Sequence, residues 1–135
     1  MLKRLWPLLL LVFSGRIMAY EFPIEVIEYI DDVKIIAVIP HKEIVPDSDW
    51  RPFKSAPPVS IQEALEAVQA YINSNENFSE TTFTSIELKQ IPDTSNWHYV
   101  VKVKYRDGKS IQPHFFVVLM DAKVISAIKM PEAIK

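Results

Sequence analysis

The chain has 135 residues, with 15 basic and 17 acidic side chains, no cysteine and two glycines. Cysteine's absence excludes disulfides, thiol catalysis and cysteine-ligated metals, and so few glycines exclude phosphate-cradling loops, whose backbone must approach the ligand closely. A net charge of −2 offers no basic stripe for nucleic acid.

Residues 1–19 have the layout of a secretory signal peptide. Lys3 and Arg4 form a charged start, Leu5 to Phe13 an apolar run of nine residues, and Ile17-Met18-Ala19 a cleavage region ending in a small residue. An uncleaved anchor is the competing reading, but a spanning helix needs roughly 20 apolar residues, and here Gly15 and Arg16 close the run. Export with cleavage before Tyr20 is therefore expected, giving a periplasmic or secreted protein. With no cysteine at the cut, no lipid-modified anchor is expected either. Cleavage removes Lys3, Arg4 and Arg16, leaving 116 residues with 12 basic against 17 acidic side chains, net −5, and Gly108 as the sole glycine. Such a length fits one domain with a single core. Its acidity disfavours docking on anionic lipid.

Ile24–Ile30 and Val33–Ile39 are rich in Val, Ile and Tyr and read as two strands, with Asp31-Asp32 as their turn. Their alternation is imperfect, so both faces are expected to be covered. Residues 40–59 carry Pro40, Pro46, Pro52, Pro57 and Pro58 and read as an extended, proline-stiffened linker. Trp50 and Phe53 are expected to pin it to the domain.

Ser60 followed by Glu63 is a capping-box pattern. Ile61, Ala64, Leu65, Val68, Tyr71 and Ile72 then recur at spacings of three and four and predict a helix with one apolar stripe, ending near Asn73–Asn75. Residues 74–83 read as a polar loop. Within it, Asn77-Phe78-Ser79 matches a glycosylation sequon that matters only in a eukaryotic secretory route.

Four strands are expected to finish the chain: Ser85–Ile91, Trp97–Tyr105, His114–Met120 and Val124–Met130. In the second, Trp97, Tyr99, Val101, Val103 and Tyr105 face one way, and His98, Val100, Lys102 and Lys104 the other. Asp107-Gly108 is a strong hairpin signal. A helix followed by antiparallel strands on short turns argues an α+β fold: one helix packed on an antiparallel meander of about four strands, preceded by the hairpin at 24–39.

Ser60-Ile61-Gln62-Glu63-Ala64-Leu65, the strand Trp97–Val103, and Phe116–Ile125 with its strand, Asp121, turn and strand together resemble the PepSY-like domains of exported bacterial proteins. The resemblance covers residues of about 60–128, with the hairpin outside it, and departs in the last turn, where Asp121-Ala122-Lys123 holds no glycine. It implies an exported binding or inhibitory module and carries no active-site residues to transfer.

The residues offer little chemistry of their own. A two-residue turn at Asp107-Gly108 would pair Arg106 with Lys109 and set His98 opposite Val117 and His114 opposite Val101. The two imidazoles would then point to opposite faces and share no metal, whereas a three- or five-residue loop would reverse that parity. His98 is expected at the surface and His114 near the core. No nucleophile elbow exists, since Gly-x-Ser-x-Gly needs more glycine. Asp31-Asp32 and Asp47/Asp49 sit in turns, where aspartate is common for backbone reasons. No catalytic, cofactor or metal residues are assigned, and no cofactor is expected. Trp97 and Tyr99 belong to the core face, and Trp50 to the linker.

The strip Val100, Phe115, Val117 and Leu119 faces away from the proposed helix and needs a cover. The hairpin at 24–39 is the economical one; a second chain, giving a homodimer, is the alternative. With Trp50, this strip is the candidate partner surface. The expected function is a non-catalytic binding or inhibitory module of the cell envelope with a protein or peptide partner. An enzyme using His98, His114 or Trp50, or a structural or stress-related envelope protein, is the alternative.

Overall fold

A computed structural model describes residues 22–44, 50–92 and 94–130. The expected signal segment 1–19 and the Asp47/Asp49 pair lie outside them. The fold is α+β, with one α-helix and two antiparallel sheets of three and four strands among the described residues. Among the described residues no helix is long and apolar enough to cross a membrane.

β1 (Ile24–Ile30) and β2 (Val33–Ile39) form the hairpin at the expected bounds. Its turn residues Asp31 and Asp32 have φ of 50° and 63°. Aspartate tolerates this left-handed backbone, and two such residues match the twist of a tight hairpin. Val26 pairs with Ala37 and Glu28 with Ile35, so these side chains share the inward face. The outward face is less covered than the sequence suggested: Ile27, Tyr29 and Val38 are exposed, although Ile36 is buried.

Helix α1 (Ile61–Asn73) begins where Ser60 Oγ accepts a hydrogen bond from the Glu63 N–H at 3.1 Å. Ala64 and Val68 are its buried residues. Ile61, expected in the apolar stripe, is exposed instead.

β3 (Ser79–Gln90), β4 (Trp97–Asp107), β5 (Ser110–Leu119) and β6 (Val124–Ser126) are hydrogen-bonded in chain order. β3 starts six residues before the expected strand, so much of the predicted polar loop is strand. Its first half is irregular, with register shifts between Ser79 and Thr82 and between Phe83 and Ser85, and φ of 49° at Glu80. Such bulges disrupt alternation, which hides the strand from a pattern reading.

The β4–β5 turn is Gly108-Lys109, closed by Asp107 opposite Ser110. This moves the expected pairing by two residues and keeps its parity. His98 therefore lies opposite Leu119 and His114 opposite Val103, on opposite faces of the sheet.

The expected last strand is divided. Val124–Ser126 stays on β5, while β7 (Ile128–Lys129) pairs with β2 of the other sheet. Ala127 marks the crossing, buried, with its N–H bonded to the Phe115 carbonyl at 3.2 Å.

Three layers result. On one face of the four-stranded sheet, Tyr99, Val101, Val103, Phe116 and Val118 pack with Val59, Ala64 and Val68. On the other, Val100, Phe115, Val117 and Leu119 pack under Val26, Ile35, Ala37 and Ile39. The strip proposed as a partner surface is thus interior, covered by the hairpin of its own chain. Burial of this apolar area is the main stabilising term of the β–β interface.

Candidate functional site

Helix α1 packs over β4, β5 and β6 and leaves β3 on its flank. Four strands span about 14 Å between outer axes at about 4.8 Å per step, whereas one helix is about 10 Å wide. The helix therefore cannot close the face, and a groove remains between α1 and β3.

Two cavities of about 490 Å³ each occupy this groove. One, near the C-terminal half of α1, is lined by Leu65, Val68 and Ile72 of the helix, Phe78 and Phe83 opposite, and Val101 and Val103 below. The other, at the start of the helix, is lined by Pro57, Ile61, Ile86 and Leu88 over Tyr99. Phe83, Ile61 and Leu88 are all exposed.

The polar groups along the groove are engaged in holding the fold. Ser60 is the helix cap. The Tyr99 hydroxyl donates to the Val59 carbonyl at 2.7 Å, and burial raises its pKa, with Glu63 adding to the effect. Gln69 Nε2 donates to Asn73 Oδ1 at 2.8 Å, and Glu80 pairs with Arg106. Among the described residues no group there is set beside a second one as a nucleophile beside its base, the arrangement covalent catalysis requires.

The chain flanking the groove is acidic. Between Lys54 and Lys89 it carries Glu63, Glu66, Glu76, Glu80 and Glu87 and no basic residue; Glu80 is paired with Arg106 and Glu87 points to the other face, which leaves Glu63, Glu66 and Glu76 on the groove side. Helix α1 itself contains no Lys or Arg. This run is visible in the sequence as a charge asymmetry but escapes a reading of whole-chain balance.

A second ionic feature lies at the other face of the sheet. Glu28 is buried in the hairpin's inward face, 2.6 Å from Lys89 Nζ and 3.2 Å from Lys102 Nζ. Burial alone would raise this carboxyl's pKa, but the two lysine hydrogen bonds outweigh it and hold it below the usual value. Glu87 completes the cluster at 3.2 Å from Lys89. The hydrogen bond that Lys89 donates to Glu28 holds its ammonium above its ordinary pKa.

The residues singled out from sequence are scattered. Val100, Phe115, Val117 and Leu119 are inaccessible between the sheets. Trp50 is also buried: its ring stands edge-on to Trp97 at 5.6 Å, and its Nε1 donates to the Ser55 carbonyl at 3.0 Å. Trp50 therefore pins the linker as expected. Phe53 does not, being fully exposed with φ of 71°.

His98 is not a surface residue. It is 2% exposed, because the hairpin covers its face, and neither ring nitrogen has a hydrogen-bond partner among the described residues. Burial first, then the Lys89 charge, lower its pKa to about 4, against an opposing effect of Glu28. His114 is buried as expected, 2.9 Å from Ser126 Oγ and edge-on to Phe116, and burial lowers its pKa to about 4. Neither histidine lines either cavity. Among the described residues no three His, Asp or Glu side chains are gathered as a metal would require.

Searches against protein-family profiles, curated proteins and solved structures find no match to this chain.

Proposed function

We propose that this protein is an exported, non-catalytic binding module of the cell envelope, of PepSY-like type, whose α1–β3 groove takes apolar side chains from a basic segment of a protein or peptide partner. The carrying observation is the groove itself: apolar walls and floor, two cavities each of about 490 Å³, and flanking chain that holds Glu63, Glu66 and Glu76 with no Lys or Arg between Lys54 and Lys89. Apolar area supplies affinity on closure, while the acidic rim selects partner charge and speeds encounter. Both histidine perturbations arise from burial away from the groove, which weighs against an enzyme built on His98 or His114. The periplasmic or secreted location rests on the layout of residues 1–19.

An array of synthetic peptides tests the reading. Each peptide places two apolar side chains at alternate positions, flanked either by Lys/Arg or by Glu. Retention of the basic set, weakening as salt rises, and its loss in Phe83→Asp with an unchanged far-UV spectrum, is the expected result. Equal retention of both sets, or retention unaffected by Phe83→Asp, would overturn the proposal.

A further inference from the structure

Strand β3 changes character at Ser85. Before it, two register shifts bend the strand and spoil it as a template. After it, Ser85 to Gln90 pair with β4 without interruption. Among the described residues nothing pairs with the other side of this straight half, because β3 is the first strand of its sheet. An open, regular edge with part-exposed apolar side chains is a site for strand addition.

We infer that this edge pairs with a second copy of the chain, antiparallel about a two-fold axis through Leu88. The sequence of the edge selects that register. A two-fold axis normal to the sheet makes each residue face one of the same parity, so the centre must fall on a residue. Centred on Leu88, the pairing sets Glu87 of each copy opposite Lys89 of the other. Centred on Glu87 or Lys89, it sets like charges face to face, which is unfavourable. Centred on Ile86, it sets Glu87 against Ser85 and drives Lys89 into the bulged half.

Both charged side chains are available for this. Glu87 and Lys89 are each more than two-fifths exposed, although both touch the cluster around Glu28. That cluster holds two carboxylates and two ammonium groups. Joining two copies doubles it and leaves it neutral. On the helix face, Leu88 meets its own counterpart. The apolar cavity bordered by Pro57, Ile61 and Leu88 then receives a wall from the second copy. The cavity at Phe83 lies beside the bulged half and stays open, so the dimer borders one of the two groove cavities and leaves the other to a partner.

The chain has no cysteine, so one introduced thiol reports one contact. Directly opposed residues in antiparallel strands have Cα atoms about 4.5–5.5 Å apart, within the range of about 4.4–6.8 Å that a disulfide accepts. Leu88→Cys is therefore expected to form a disulfide-linked dimer under oxidised glutathione at least about tenfold faster than Tyr29→Cys, an exposed control on the hairpin. Glu87→Lys and Lys89→Glu each place like charges across the two-fold axis, and each is expected to sediment as a monomer. Mixed together, the two variants restore opposite charges at all four positions and are expected to form a heterodimer. Equal oxidation of Leu88→Cys and Tyr29→Cys, together with a monomeric parent protein at every concentration, would overturn the inference. A dimer that persists in both single charge variants would overturn the register.

Discussion

Acidification provides a sharp test of how the interior is built. In the unfolded chain an imidazole titrates near 6.5; in the folded chain His98 titrates at about 4, chiefly through burial. Between those values the unfolded state binds more protons, so stability falls as pH falls. Above about 6.5 the ring is neutral in both states and contributes no pH dependence; below about 4 both states are protonated and the loss is complete. At about 1.4 kcal/mol per pH unit the gap amounts to about 3 kcal/mol. His114, also lowered to about 4 by burial, adds a similar loss in the same window. Together they amount to about 6 kcal/mol, against a total stability of about 5–15 kcal/mol for a domain. Glu28 does not confuse the window. Its depressed pKa gives stability that is present above 4.5 and is lost only as pH falls through the lower folded value.

Urea unfolding at successive pH values from 7.5 to 4 measures the effect, and His98→Leu isolates one contributor. The variant is expected to lose about half as much stability over that range as the parent. At neutral pH it is expected to gain about 1–3 kcal/mol, because an apolar side chain replaces two buried ring nitrogens without partners. Identical pH slopes in parent and variant, or a His98 resonance that titrates near 6.5 in the folded protein, would refute the reasoning.

Two further substitutions probe the local geometry. Tyr99→Phe removes the donor to the Val59 carbonyl and leaves that buried acceptor unpaired, so a loss of about 1–3 kcal/mol is expected in thermal or urea unfolding; an unchanged midpoint would show that the bond adds nothing. Ala122 has φ of 69° in the turn after β5, a backbone that costs an L-residue about 1 kcal/mol, so Ala122→Gly is expected to stabilise by up to that amount, and a lower melting temperature in the variant would contradict it.

The hairpin, the helix and the β4–β5 parity were legible because each carries a local signal. Asp31-Asp32 sits between β-branched runs, Ser60 and Glu63 open a periodic stripe, and alternation from Trp97 to Tyr105 assigns faces without knowledge of the neighbours. The hairpin's role as cover followed from counting apolar faces: Val100, Phe115, Val117 and Leu119 needed burial, and the hairpin was the nearest apolar surface. What escaped depends on tertiary placement. His98 alternates with Lys102 and Lys104, so it reads as exposed, yet its ring is buried, while the two longer lysine side chains keep part of their surface and reach the hairpin carboxylates Glu28 and Asp31. Ser79–Thr84 lacks alternation because bulges break the period and the edge position leaves both faces half-wet. The division of the last strand at Ala127 has no local signal, since both halves are β-rich and only the second sheet claims Ile128 and Lys129.

The groove escaped for a geometric reason that the sequence nevertheless contains. One helix of 13 residues must serve a four-stranded sheet, and its position is set by what it packs against best. Phe116 and Val118 on β5, with Val124 of β6 beside them, draw it to one side. β3 is then left with Phe83, Ile86 and Leu88 facing an incomplete layer. A strand in that position faces two hazards: an apolar flank and an open backbone edge. Its first half answers the edge hazard with bulges and threonines but leaves Phe83 at the groove. Its second half keeps a regular edge and carries Glu87 and Lys89 on either side of Leu88. A sequence shaped only to prevent association would place like charges there, or a proline. Opposite charges flanking one leucine instead make the edge complementary to itself, which is why the two halves of β3 are assigned different occupants.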